Sequence, residues 1–278
     1  MRALRSPQVQ NVVPNNKAMI RFPLGVTYEK IYLFLGTNIT TALISNIVLR
    51  VNNKEFQRWA TAADLISGLN GYRGNLISST AFLVIDFTEA KAREEVGMKL
   101  GTVAATAEAG VQDFTLEFDL GNYTQVAAST ITCQVDIEAP SANPILDRVQ
   151  YQQRAIASAT EEQIYIPFGD QGGQLKRIII KHANLASVRV RRDGVDIYES
   201  FPVALANQRL QDFGRVPQAG YHVVDLMPDS LQSNALNTAF LLGPDGKPAK
   251  VNSLDVRVTT SAADTLTIYT QTYASNKQ

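Results

Sequence analysis

The sequence predicts an all-β fold of two tandem jelly-roll β-sandwiches, a double jelly roll, with a few inserted short helices. Most of the chain consists of short strand-like runs separated by turn signals. The strand pattern of the first half also recurs, in the same order, in the second half. With 45% hydrophobic and 19% charged residues among 278, the chain has enough apolar material to fill sizeable cores.

Runs rich in β-branched and aromatic residues indicate the strands, and Asn, Asp, Gly and Pro mark the turns between them. The predicted strands cover residues 31–35, 47–51, 81–87, 114–120, 131–137, 163–168, 175–181, 188–192, 222–226, 254–259 and 266–273. The turn signals are Asn52-Asn53, Gly172-Gly173, Asp193-Gly194 and Pro244-Asp245-Gly246.

Segments with a helical period interrupt the strands. The predicted helical segments cover residues 60–69, 89–100, 145–157, 202–213 and 230–241. The segment at 145–157 is expected to bridge the two halves of the chain.

Four anchors define the internal repeat. Ile20-Arg21-Phe22-Pro23-Leu24-Gly25 recurs as Ile164-Tyr165-Ile166-Pro167-Phe168-Gly169. The strand before the Asn52-Asn53 turn matches the strand before Asp193-Gly194, and Val84-Ile85-Asp86-Phe87 matches Val223-Val224-Asp225-Leu226. The last two strands of each half also correspond. Because the anchors keep their order, the chain is interpreted as a duplicated domain.

The seam between the halves is expected near Pro140 and Pro144, because prolines and small polar residues there end a strand. This gives a first domain over residues 1–143, a jelly roll with an extended N-terminal arm. The second domain covers residues 144–278, with the bridging helix followed by the C-terminal jelly roll.

The charge balance argues against a dedicated nucleic-acid-binding protein. Lys plus Arg and Asp plus Glu both total 26, so the formal net charge is zero. Arg189, Arg191 and Arg192, with Lys176-Arg177, form a local positive cluster in the second half. A solvent-facing strand or a salt bridge between subunits is the favoured interpretation of this cluster. No specific nucleic-acid site is predicted.

Groups for catalysis are sparse, and we predict no enzymatic activity and no cofactor. The two histidines, His182 and His222, lack metal-ligand spacing and are interpreted as ordinary strand residues. Cys133 lies in the middle of a strand and is interpreted as a core residue. Asp86 and Asp225 come from different halves, so they are expected to bond nearby turns rather than to flank one substrate bond.

The N-terminal arm carries Arg2, Arg5 and Lys17, with no acidic residue before Glu29. Pro7 and Pro14 favour an extended conformation. A basic arm of this kind is a candidate contact with anionic lipid or with a neighbouring subunit, and a disordered terminus is the alternative.

The expected site of synthesis is a cytoplasm. The first residues lack the apolar core of a signal peptide, and the sequence contains no apolar stretch of membrane-spanning length. A single cysteine excludes an intramolecular disulfide.

The segment from Ile20 to Ile31 resembles the opening of the major capsid protein of corticoviruses, which are tailless icosahedral phages with an internal membrane. The resemblance continues through Ile44 to Val51 and through Trp59 to Ile66. Beyond this first quarter of the chain it is diffuse, although the chain length and the duplication agree with the family.

The resemblance implies a structural major capsid protein in the virion. Its expected partners are two further copies in a trimeric, pseudo-hexameric capsomer, neighbouring capsomers and a vertex (penton) protein. The N-terminal arm is a candidate contact with the internal viral membrane. Some family members bind calcium, but no calcium-loop spacing is present and no ligand residue is assigned.

Two alternatives stay open from the sequence. One is a carbohydrate-binding or carbohydrate-active double β-sandwich, although Trp59 is the only tryptophan available for stacking on a sugar. The other is a minor capsid or spike-base subunit with the same architecture.

Overall fold

Most of the regular structure is β-strand. The computed structural model describes residues 7–75, 79–169, 172–200, 202–242 and 246–276. The strands are β1 (Val9–Gln10), β2 (Lys17–Arg21), β3 (Val26–Leu35), β4 (Ile44–Val51), β5 (Lys54–Thr61), β6 (Phe82–Asp86), β7 (Val103–Ala105), β8 (Phe114–Leu120), β9 (Ile131–Glu138), β10 (Ile145–Ile156), β11 (Glu161–Tyr165), β12 (Gln174–Lys181), β13 (Leu185–Arg192), β14 (Val195–Ser200), β15 (Tyr221–Asp225), β16 (Leu236–Asn237), β17 (Phe240–Leu242), β18 (Pro248–Lys250), β19 (Leu254–Thr260) and β20 (Asp264–Ser275). The helical segments are a 3-10 turn (Thr41–Leu43), a π-helix (Asp64–Gly71), α1 (Glu95–Lys99), α2 (Val203–Asp212) and a second 3-10 turn (Gln232–Asn234).

The strands form two sandwiches with the same strand order. In the first, the sheet β1-β2-β8-β4-β5 faces a sheet of β6-β3-β9, with β7 also paired to β3. In the second, the sheet β11-β19-β13-β14 faces a sheet ordered β15-β12-β20-β10. Thus β2-β8-β4-β5 corresponds to β11-β19-β13-β14, and β6-β3-β9 corresponds to β15-β12-β20. The predicted fold class, two tandem jelly rolls, is confirmed.

The correspondence extends to the register of single residues. In the first sandwich, β3 pairs with β6 from Lys30 opposite Asp86 to Phe34 opposite Phe82. In the second, β12 pairs with β15 from Arg177 opposite Asp225 to Lys181 opposite Tyr221. Lys30 is thus equivalent to Arg177, and Asp86 is equivalent to Asp225.

The repeated turns also agree. Asn52 and Asn53 have φ of 53° and 61°, and Asp193 and Gly194 have φ of 50° and 81°, as expected of type I′ hairpin turns. The first residue of each turn also accepts backbone hydrogen bonds from a distant loop. Asn52 Oδ1 accepts from the N–H of residues 112 and 113, and Asp193 Oδ1 accepts from the N–H of residues 252 and 253.

The predicted bridging helix at 145–157 is wrong, because this segment is strand β10. It forms a twelve-residue antiparallel ladder with β20 and one parallel pair, Val149 with Gln57, with β5. Leu146, Asp147 and Val149 are all buried, since β10 lies between the two sandwiches. Leu146 and Asp147 are buried one after the other, whereas residues 150–155 are exposed or half-buried. The segment therefore lacks the strict alternation that identifies a strand, and its sequence imitates a helical period.

The other predicted helices have mixed outcomes. The segment at 202–213 contains α2, and the prediction is confirmed. The predicted helix at 60–69 begins with the end of β5 and continues as the π-helix, whereas 89–100 is helical only in α1. The predicted helix at 230–241 is wrong, because the segment holds a 3-10 turn and two short strands.

One sheet of the second sandwich serves both hydrophobic cores. Ile178, Ile180 and Val224 point into the core of the second sandwich. Their neighbours Ile179 and Val223 belong instead to the core cluster of the first sandwich. Alternate residues of β12 and β15 therefore point to opposite faces, and the sheet β15-β12-β20-β10 forms a wall shared by the two halves.

None of the helices in the described part of the chain has the length and apolar character needed to cross a bilayer.

Candidate functional site

The junction between the two sandwiches holds a buried cluster of charged side chains. Its members are Arg73 and Glu89 from the first half, Asp147 from β10, and Lys176, Arg177, Arg215 and Asp225 from the second half. Lys176, Arg177 and Asp147 are fully inaccessible to solvent. We refer to this set as the junction cluster.

Glu89 is the acceptor at the centre of the junction cluster. Its carboxylate accepts from Arg177 Nη1 at 2.6 Å and Nη2 at 3.1 Å, from Lys176 Nζ at 2.8 Å, and from Arg73 Nη2 at 2.9 Å. Burial alone would raise the pKa of Glu89, but the charges of Arg177, Arg73 and Lys176 outweigh it and hold the pKa well below its ordinary value.

The other two acids of the junction cluster, Asp225 and Asp147, pair with its basic side chains. Asp225 Oδ2 accepts from Arg177 Nε at 3.0 Å and from the hydroxyl of Tyr72 at 2.8 Å. Asp147 Oδ1 accepts from Lys176 Nζ at 3.0 Å. Each buried charge of the cluster therefore has an opposite charge within 3.5 Å, which offsets the cost of burying it.

The prediction that Lys176 and Arg177 belong to a surface positive cluster is wrong. Both side chains lie in the junction cluster, because the outer face of β12 lies against the first sandwich and a register shift between Leu175 and Arg177 brings Lys176 to the same side as Arg177. Arg189 and Arg191 do lie near the surface, where they pair with Glu199 at 3.1 Å and with Asp196 at 3.0 Å. These are intrachain ion pairs across the hairpin that joins β13 and β14.

A second polar group, centred on Asp64 of the π-helix, connects the same two surfaces. Asp64 accepts from Lys181 Nζ at 2.8 Å and from the hydroxyls of Tyr221 and Tyr269 at 2.7 Å each. Burial would raise the pKa of Asp64, but these hydrogen bonds lower it below its ordinary value. At Gly68, one turn further on, a Cβ atom would lie only 3.3 Å from Ile179 and Tyr221.

The aspartates matched by the repeat have the turn-bonding role predicted for them. Asp86 Oδ1 accepts from the N–H of Thr88 at 2.9 Å, and Asp225 Oδ1 accepts from the N–H of Met227 at 3.0 Å. Each also has a basic partner in the neighbouring strand, Lys30 for Asp86 at 3.2 Å and Arg177 for Asp225.

His222 and Cys133 lie within strands, and His182 directly follows a strand. His222 is buried in β15, where burial, with a smaller effect of His182, lowers its pKa to about 4. His182 follows β12, and its Nδ1 accepts from the N–H of Leu185 at 3.3 Å. Cys133 is buried in β9, where burial raises the pKa of its thiol to about 12, so it is not an activated nucleophile.

Among the described residues, His, Cys, Asp and Glu side chains form no group of three that could hold a metal ion.

Of the three basic residues predicted for the N-terminal arm, Arg2 and Arg5 lie outside the described residues. Lys17 is in β2, where its ammonium group lies 3.6 Å from Glu117 Oε2. The arm between them follows the first sandwich: β1 pairs with β2, and Gln125 donates to the carbonyl of Val12 at 3.2 Å.

Sequence reasoning missed the junction cluster and the Asp64 group. The available signal was the pair Lys176-Arg177 inside the strand Leu175–Lys181, next to three consecutive isoleucines. Two adjacent charges in an otherwise apolar strand indicate a buried strand whose charges are paired. That both point to the same side depends on a register shift between Leu175 and Arg177, which the sequence does not reveal.

Two family matches cover the chain almost completely. The viral coat protein P2 N-terminal domain matches residues 3–153, and the viral coat protein P2 C-terminal domain matches residues 146–276. No curated protein sequence matches the chain.

Solved structures with the same fold are viral capsid proteins. The major capsid protein P2 of bacteriophage PM2 has a TM-score of 0.81 at 16% identity, covering 98% of this chain and 97% of that chain. The STIV major capsid protein has a TM-score of 0.65 at 10% identity, over 98% and 97%. The PBCV-1 virus capsid has 0.60 at 10% identity, over 98% and 93%.

These matches give no support to the carbohydrate-binding alternative. They confirm the resemblance to the corticovirus-type coat proteins, and the first family match alone spans more than half of the chain. The chain belongs to the viral coat protein P2 family, and it is a structural protein of the virion capsid rather than an enzyme.

Proposed function

We propose that three copies of this coat protein form a trimer whose six jelly rolls make a pseudo-hexagonal capsomer, and that such capsomers tile an icosahedral shell. The observation that carries the proposal is the strand-for-strand match of the two sandwiches. Two similar units in each chain allow three chains to occupy positions related by an approximate six-fold axis with closed symmetry. The likeness to the major capsid protein of phage PM2 favours the major rather than a minor capsid role.

The contacts between the two sandwiches also support a rigid capsomer. The shared wall, the junction cluster and the Asp64 group fix the angle between the two sandwiches. A rigid pair of units presents its outer surfaces at a constant angle, which a closed ring requires. We propose the boundary between these units after residue 143, immediately before β10.

The test is the mass of the purified chain and the appearance of its assemblies. Three chains of 30.5 kDa give a particle of about 90 kDa in multi-angle light scattering. Electron microscopy of the particles should show capsomers with six lobes. A strictly monomeric protein at high concentration would count against the proposal.

The remaining partners follow from the shell geometry. Capsomers with six lobes do not fit the five-fold vertices of an icosahedron, so we propose a separate vertex protein there. We also propose that the N-terminal arm contacts an internal viral membrane. Since Lys17 is paired with Glu117, this contact rests on Arg2 and Arg5.

Liposome flotation tests the membrane contact. The chain should float with vesicles that contain anionic lipid, and a variant with Arg2→Glu and Arg5→Glu should stay at the bottom of the gradient. Lys17→Glu is the matched control, and it should float like the unchanged chain. Equal flotation of the double variant would contradict a role for the arm.

A further inference from the structure

We propose that the face of α2 that carries Leu205, Arg209 and Phe213 docks on the outer face of strands β3 and β6 in a second copy of this chain. This inference rests on the proposed trimer and names the two surfaces that would hold it together. Inside the chain, the π-helix packs against the shared wall. Each of these two surfaces has an equivalent in the other half that is exposed in the described part of the chain.

The contact inside the chain has an inserting side and a receiving side. The π-helix follows β5 and inserts from the first half, with Asp64, Gly68 and Tyr72 directed at the second half. The shared wall receives it through Ile179, Tyr221 and Asp225 among others. The inserting residues are four apart, so they lie along one side of the helical segment.

In the second half, α2 occupies the place of the π-helix. It follows β14, which corresponds to β5, and both helical segments end on the same hydrogen bond: Tyr72 N–H donates to the carbonyl of Leu69, and Phe213 N–H donates to that of Leu210. Leu69 and Leu210 are both buried. This alignment makes Leu205, Arg209 and Phe213 equivalent to Asp64, Gly68 and Tyr72.

The face of α2 that is equivalent to the inserting side of the π-helix is exposed to solvent. Leu205 is 55% exposed and Phe213 is 49% exposed, which is unusual for large apolar side chains on one helix face. Arg209, between them, forms no ion pair with any residue in the described ranges. In the first half, the same three positions are covered by the second half.

The surface equivalent to the receiving side is the outer face of β3 and β6 in the first sandwich. The paired ladders make Tyr32 equivalent to Ile179, Phe82 equivalent to Tyr221, and Asp86 equivalent to Asp225. Phe82 is 37% exposed and packs edge-on against Phe34, with ring centroids 5.1 Å apart. This face of the first sandwich therefore presents aromatic rings where the second sandwich presents the wall of the junction.

Charge is complementary across the two faces. The receiving face carries Asp136, which accepts from the Tyr32 hydroxyl at 2.8 Å, and Glu29 and Glu138 lie near it. The nearby bases are already paired, Lys99 with Glu138 at 2.7 Å and Lys30 with Asp86 at 3.2 Å. Arg209 replaces Gly68, the residue that lies against Ile179 and Tyr221. By equivalence, the Arg209 side chain would lie against Tyr32 and Phe82, where a guanidinium can stack on the rings and reach Asp136.

These surfaces are different on the two sides, so the contact is head-to-tail. A head-to-tail contact can close into a ring, and the proposed trimer requires that three such contacts alternate with the three intrachain junctions. A second copy is the favoured partner, because the intrachain junction already pairs a helical segment of one half with the sheet of the other half.

Two kinds of variant test the contact through the mass in light scattering. Leu205→Glu with Phe213→Glu removes the inserting face, and Phe82→Glu removes the receiving face. Each should raise the dissociation constant of the trimer at least about tenfold, because a carboxylate would be buried against apolar side chains. Tyr165→Glu, on the opposite edge of the sheet from β14 and 67% exposed, should leave the trimer intact.

Cross-linking provides a measurement that does not depend on disrupting the surface. The native Cys133 is buried, so a bismaleimide reports introduced cysteines. Leu205→Cys with Phe82→Cys in one chain should give a covalent trimer. Mixed single variants should give covalent dimers, whereas each single variant alone should stay uncross-linked.

The outcomes separate the two proposals. A trimeric wild type that resists both sets of glutamate variants and gives no cross-link overturns the assignment of these faces and leaves the trimer standing. A monomeric wild type overturns the trimer, and the faces with it. Cross-linking of the Leu205→Cys variant with itself would show a symmetric contact and would also overturn the assignment.

Discussion

Arg177 donates two hydrogen bonds to the carboxylate of Glu89 across the junction of the two jelly rolls, and neither side chain contacts solvent appreciably. The equivalent of Arg177 in the first half, Lys30, pairs with the aspartate in the neighbouring strand and stays partly exposed. At the junction Arg177 has in addition the carboxylate of Glu89, which also pairs with Lys176 and Arg73.

Removing the charge of Glu89 should destabilise the whole chain. Glu89→Gln leaves Arg177, Lys176 and Arg73 without their shared counter-charge in a dry site, and we expect a loss of about 3–5 kcal/mol in the free energy of unfolding. Chemical denaturation followed by circular dichroism measures it. Glu95→Gln, at an exposed pair with Lys99, should cost under about 1 kcal/mol. Equal effects of the two changes would argue against a stabilising network.

The π-helix requires glycine at position 68 for its close approach to the shared wall. Gly68→Leu would place side-chain atoms where Ile179 and Tyr221 already lie, and we expect a loss of about 1–3 kcal/mol from overpacking. Arg209→Leu changes the equivalent position in the second half and should leave the stability of the isolated chain within about 0.5 kcal/mol. A thermal melt of both variants compares them, and a neutral Gly68→Leu would contradict the close packing.

His222 should make stability depend on pH in the weakly acidic range. Its pKa is lowered by burial from about 6.5 to about 4, so the folded state binds fewer protons than the unfolded state between these values. The contribution is complete above pH 6.5 and is lost as the pH falls toward 4, by up to about 3 kcal/mol.

Comparing wild type with His222→Leu isolates this contribution. The difference between their free energies of unfolding should shrink by that amount from pH 7 to pH 4. His182→Asn changes the other histidine and should leave most of the slope in place. A pH-independent difference would mean that His222 keeps its ordinary pKa.

The two equivalent turns should respond alike to loss of their side chains. Asn52→Gly and Asp193→Gly keep the positive φ available, but each removes the oxygen that accepts two backbone hydrogen bonds. We expect each to cost about 1–2 kcal/mol in unfolding experiments. Asn53→Gly, beside the first turn residue, should be neutral or slightly stabilising. A large difference between the two variants would indicate that the turns are not equivalent.

Many strands and turns were predictable from sequence. The ladder residues 31–34 of β3 and 177–181 of β12 lie in predicted strands, and the Asn52 and Asp193 turns have residues that tolerate positive φ. The segment at 145–157 failed because contact with both sandwiches buries consecutive residues of β10. That contact is a property of the assembled chain and leaves no periodic signal.

The junction cluster was not predictable for a related reason. Glu89 stands in a charged segment that looks solvent-exposed, and its partner Arg177 is 88 residues away. A charged residue is normally assigned to the surface, and only the fold reveals an opposite charge next to it. The matched aspartates were interpreted correctly because turn bonding is local in sequence.

Because the two halves share one wall, neither can bury all of its apolar surface without the other. A polypeptide that ended after the first sandwich would leave Trp59, which stacks on Tyr269, without its cover. The second sandwich alone would expose Ile179 and Tyr269 and would leave Lys176 and Arg177 without Glu89. Each sandwich therefore covers an apolar surface that the other would otherwise expose to water. For this reason the chain should tolerate changes in its outer loops far more readily than the loss of either sandwich.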